Sequence, residues 1–122
     1  MGLLCNIPIK NIKALITYQH ILNLDFLNQA KNLSICINEK EIDINMKINR
    51  YKYTNKELDI TIIEILKEDN INYFIEIDKF ISSKNHINEN ILCIPFNNRK
   101  KIEIIENKIT DKVNNNFICS NN

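Results

Sequence analysis

Apolar and polar residues alternate along much of this chain, and the alternation predicts strands. Ile42, Ile44, Met46 and Ile48 recur at period two with Asp43, Asn45 and Lys47 between them, as in a half-buried antiparallel strand. Leu33-Ser34-Ile35-Cys36-Ile37 reads as the strand before it, with a turn around Asn38-Glu39-Lys40, so the two form a hairpin. Residues 2–9 read as a first strand. The short apolar run Ala14-Leu15-Ile16-Thr17 leads into a helical turn at residues 18–22. Residues 59–65 form the most apolar strand, directly after a polar loop at residues 53–57. Further strands are expected at residues 74–77, 91–94, 101–105 and 117–119, with one more helical turn at residues 26–30. Many short strands at regular spacing predict an all-β barrel or sandwich.

Residue usage reinforces this. Among 122 residues there are 26 Ile and 22 Asn, against one Gly and two Pro. Ile, Asn and Lys all have AT-rich codons, so the excess reflects base composition in part, yet β-branched Ile still favours strands over helices. With glycine nearly absent, hairpin turns need another residue that tolerates positive φ, and Asn tolerates it best. The length suits one ordinary domain. A boundary is placed near Glu68-Asp69-Asn70, giving halves of 1–70 and 71–122.

The formal net charge of +1 offers no electrostatic reason to expect nucleic acid or an anionic membrane as a partner. No stretch approaches membrane-spanning length. No basic segment and no long apolar run precede Lys10, so a signal peptide is not expected and the chain reads as intracellular. Cys5, Cys36, Cys93 and Cys119 show no C-x-x-C spacing, and only His20 and His86 could complete a metal site. Neither a metal nor any other cofactor is expected. Each cysteine sits in an apolar run and reads as a reduced, buried small hydrophobe. His86 reads as a solvated loop residue, and Arg99-Lys100-Lys101 as a solvated hairpin turn.

Two segments carry candidate chemistry. Leu15-Ile16-Thr17-Tyr18-Gln19-His20 is an apolar strand that ends in Thr, with His three residues later. Leu58-Asp59-Ile60-Thr61-Ile62-Ile63-Glu64-Ile65 places an aspartate at the head of an apolar strand. Together they resemble trypsin-like serine peptidases, whose general base lies in a strand-Thr-x-x-His segment and whose orienting aspartate opens an apolar strand. Gly2-Leu3-Leu4-Cys5-Asn6-Ile7 resembles the Gly-Phe-Leu-Cys strand that precedes the His segment in divergent, AT-rich protist members. The likeness therefore spans three ordered segments across residues 2–65. It implies a trypsin-like antiparallel β-barrel fold, with a first barrel and an incomplete second one. It implies His20 as the base and Asp59 as the orienter of a Ser-His-Asp triad acting on polypeptide.

The third member is missing. The family's serine sits in Gly-Asp-Ser-Gly-Gly or Gly-x-Ser-Gly-Ser-Pro, and this chain's only glycine is Gly2. Ser34, Ser82, Ser83 and Ser120 lack flanking glycines. The final Phe117-Ile118-Cys119-Ser120 resembles the strand that comes just before the nucleophile motif. Triad members act as a unit, and an oxyanion hole contributes a further ~10²–10³ in rate, so the chain alone is expected to be inactive as a peptidase. Four readings stay open: a fragment, a pseudoprotease that binds a protein partner, an enzyme completed by a second chain carrying the serine motif, and a non-catalytic β-barrel binding or assembly module with no protease ancestry.

Overall fold

The structure, a computed structural model, describes residues 2–77, 86–93, 105–113 and 116–121, and these contain ten strands, one short α-helix and one 3-10 turn. The chain is all-β in class and divides into two compact units, Met1–Ile77 and Asp78–Asn122. Its open antiparallel sheets are compatible with a β-barrel, although among the described residues none of them closes on itself.

In the first unit the strands are β1 (Gly2–Ile7), β2 (Ile12–Thr17), β3 (Asn32–Ile37), β4 (Lys40–Asn45), β5 (Lys52–Asn55), β6 (Ile60–Glu64) and β7 (Ile75–Glu76). Five of them form one sheet in the order β5-β6-β2-β1-β7, antiparallel except for the short β1–β7 pairing. β3 and β4 form a separate hairpin. Helix α1 (Leu24–Gln29) starts where the Asn23 side chain accepts a hydrogen bond from the Phe26 N–H at 2.9 Å, as a good N-cap does. It buries only Leu27, which explains why it stays short.

The apolar faces meet in one core. Leu15, Leu27, Leu33, Ile44, Met46, Ile63, Ile65 and Ile71 are buried together. Leu27, Ile44 and Ile63 are fully enclosed, and each such side chain contributes roughly 1.5–3 kcal/mol of hydrophobic stabilisation. The alternation at residues 42–48 is cut short: β4 ends at Asn45, whose side chain accepts from the Lys47 N–H at 3.0 Å and turns the backbone. Strand β5 occupies part of what reads as a polar loop. Among the described residues it is an edge strand, bonded on one side only, so polar Lys52, Thr54 and Asn55 suffice there.

The turns show how a chain with one glycine closes its hairpins. Asn11, Asn38, Asn70 and Asn88 all take positive φ, as do Glu39 and Asp59. Asn38 and Glu39, at φ 50° and 66°, form the two-residue connection between β3 and β4. Positive φ at both central residues is what a type I′ hairpin turn requires.

The second unit contains β8 (Asn90–Cys93), β9 (Ile105–Val113) and β10 (Asn116–Asn121), ordered β10-β9-β8, with a bulge between Ile118 and Cys119. His86 departs from the solvated loop expected of it. It is 9 % exposed; Glu89 accepts from its Nδ1 at 2.7 Å, and the Phe117 ring packs edge-on at 5.4 Å. The polar neighbourhood in sequence gives no sign of the aromatic partner that β10 supplies. Most of the strand expected at residues 101–105, Ile94, Ser82, Ser83 and the Arg99-Lys100-Lys101 cluster lie outside the described residues.

Candidate functional site

The site assembles from two irregular segments at the same end of the first unit's sheet. After β2, residues 18–22 curl into one helical turn, with the Ile21 and Leu22 N–H groups donating to the Tyr18 carbonyl at 3.2 and 3.1 Å. After β5, the hairpin loop closes through the Leu58 N–H donating to the Asn55 side chain and the Asp59 N–H to the Lys56 carbonyl. Asp59 then takes φ 53° immediately before β6. Aspartate is among the few residues that accept this left-handed conformation at low cost.

Because β2 and β6 are adjacent, with Thr17 opposite Thr61, the two segments meet. The His20 backbone N–H donates to Asp59 Oδ1 at 2.9 Å, and His20 Nδ1 lies 2.6 Å from Asp59 Oδ2. The Gln19 N–H donates to the Asp59 carbonyl at 3.2 Å. A carboxylate only accepts, so the Nδ1 proton stays on the ring and the Nε2 lone pair is the free one. Tyr18 stacks on the imidazole, with centroids 5.1 Å apart and planes at 25°. The bond from the His20 N–H, followed by those from the His20 side chain and the Gln19 N–H, holds the Asp59 carboxyl below the usual carboxylate range.

The arrangement orients the His20 ring by its Nδ1 contact to the carboxylate. It differs in one respect from a triad with a buried aspartate. The His20 side chain is 65 % exposed and that of Asp59 40 %, so solvent screens the pair.

The first unit's serine, Ser34, does not join it. The Ser34 hydroxyl donates to Glu41 at 2.6 Å within the β3–β4 hairpin. Ser120 lies exposed on β10 of the second unit, opposite Lys108. The cysteines divide: Cys5 is buried, and burial pushes its thiol up, whereas Cys36 and Cys119 are exposed rather than enclosed as their apolar runs suggest. Each lies on an open strand, where an apolar run in sequence faces solvent on one side. Among the described residues no group of three or more His, Cys, Asp or Glu side chains could hold a metal ion.

An apolar cleft of about 420 Å³ lies between β1–β2 and β3, lined by Leu4, Leu15, Leu33, Ile35 and Ile37 and, from the His20 turn, by Ile21 and Leu22. A second feature escaped the sequence pattern. Arg50 and Asp69 form a bidentate ion pair at 2.7 and 3.2 Å, almost wholly enclosed. Its signal was available: only two of the 16 basic residues are Arg, and Arg rather than Lys suits a buried planar contact.

No protein-family model, curated protein or solved structure matches this chain.

Proposed function

We propose that the chain is a trypsin-like serine endopeptidase-type domain that carries the base and the orienting carboxylate but not the nucleophile, and so does not cleave peptides by itself. The observation that supports this reading most is the pair of hydrogen bonds from His20 to Asp59, through the backbone N–H and Nδ1 of one residue to both oxygens of the other. A serine hydroxyl presented to the free Nε2 would lose its proton to that nitrogen as it attacked a peptide carbonyl. Asp59 would then stabilise the imidazolium. The open all-β architecture and the order of the three matched segments agree with a trypsin-like barrel.

The experiment is to read the gene beyond the Asn122 codon and across its locus. An in-frame or disrupted Gly-x-Ser-Gly motif supports the peptidase reading. A locus without one, together with no companion chain that restores peptide hydrolysis, overturns it. The second reading, a non-catalytic binding module, draws on the apolar cleft beside the His20 turn, whose flanking strand β3 is bonded on one side only among the described residues.

A further inference from the structure

His20 sits in a turn rather than on a strand, so something must hold that turn against β6. Two contacts besides the pair itself do so. One is the Gln19 N–H to the Asp59 carbonyl. The other is the Thr61 hydroxyl, which donates to the Leu22 carbonyl at 2.7 Å. Thr61 lies two residues beyond Asp59, and Leu22 two residues beyond His20. The His20–Asp59 and Leu22–Thr61 links therefore each have a sequence separation of 39, forming two parallel ties between one turn and one strand.

Thr61 is fully buried. It stands in register with Thr17 on β2 and Thr54 on β5, so its β-branched side chain is confined by neighbours on both sides. A buried hydroxyl without a partner is costly, and Leu22 supplies the acceptor. The tie is short and part-buried, anchored on a fully buried side chain, while the His20–Asp59 contact is exposed. An exposed pair holds its geometry only weakly against water and side-chain entropy; a part-buried bond from a fully buried threonine beside it holds more firmly.

We propose that Thr61 is a positioning residue for the His20–Asp59 pair: its hydroxyl clamps the Leu22 carbonyl and so fixes the 18–22 turn where His20 Nδ1 meets Asp59. This stands on the geometry of the pair and is independent of whether a serine ever completes it.

The test is Thr61→Val, which keeps shape and β-branching but removes the donor, beside Thr61→Ser, which keeps it. The readouts are the tautomer of His20, from imidazole ¹⁵N shifts in the neutral ring, and the midpoint of urea unfolding. Thr61→Val is expected to lower the ratio of Nδ1–H to Nε2–H tautomers about fivefold, the population effect of one lost hydrogen bond. Thr61→Ser is expected to retain the wild-type ratio. A Thr61→Val protein that is less stable but keeps the wild-type ratio overturns the proposal and leaves Thr61 a purely structural residue. Should Thr61→Val not fold, wild type in mild urea serves: the Nδ1–H population must fall in step with exchange of the Thr61 hydroxyl. Independence of the two would equally overturn the proposal.

Discussion

Arg50 and Asp69 face each other inside the first unit, two guanidinium nitrogens to two carboxylate oxygens, with side-chain exposures of 0 % and 4 %. The same guanidinium donates to the carbonyls of Glu64 and Asn45, and Asp69 accepts from the Leu66 N–H at 2.7 Å. This one pair ties the end of β4, the end of β6 and the 3-10 turn at Lys67–Asp69 together. Breaking a buried pair strands the remaining charge, which costs about 3–5 kcal/mol. Asp69→Asn and Arg50→Met are therefore expected to lower unfolding stability by that amount in urea titrations. A loss below about 1 kcal/mol would show that the pair is dispensable.

The two polar pairs differ in how visible they are in the sequence. His20 and Asp59 stand beside apolar strands in a recognisable pattern, and the neighbouring β2–β6 register brings them together. Arg50 and Asp69 lie in polar stretches that look like solvated turns, because nothing local records what will close over them. The hairpins were legible wherever alternation was strict, as at β3–β4. β5 was not, since an edge strand needs no apolar face. The burial of His86 is equally hidden in the sequence, because its partner Phe117 is distant along the chain.

The depressed Asp59 carboxyl fixes a direction with pH. A carboxylate with a lowered folded-state pKa contributes stability that is fully present above the unfolded value of about 3.9 and is lost as pH falls through the folded value. Wild type should then exceed Asp59→Asn in urea midpoint at neutral pH, and the gap should close as pH drops below about 4. High salt should shrink the gap, because the pair is exposed. A gap that widens on acidification would contradict the assignment.

Peptidase chemistry should be absent from the isolated chain. A fluorophosphonate probe, which labels activated serines, is expected to leave it unmodified, with His20→Ala identical to wild type. Labelling of Ser34 or Ser120 that disappears in His20→Ala would show a nucleophile within the chain.

Glu39 holds φ 66° in the β3–β4 turn. The left-handed conformation costs a non-glycine residue about 1–2 kcal/mol, and glycine's extra chain entropy returns roughly 0.5–1 of that. Glu39→Gly should stabilise the protein by about 0.5–1 kcal/mol and Glu39→Val should destabilise it. Thermal unfolding of both decides, and a more stable Glu39→Val would rule out the type I′ turn.

The pairing of His20 with Asp59 is read most directly by ¹H–¹⁵N correlation of the neutral His20 ring in wild type and Asp59→Asn. With the carboxylate accepting at 2.6 Å, wild type should hold the proton on Nδ1, and Asp59→Asn should shift it toward Nε2. An Nε2–H ring in wild type, unchanged by Asp59→Asn, would mean that the two residues do not act together and that no triad-like base exists in this chain.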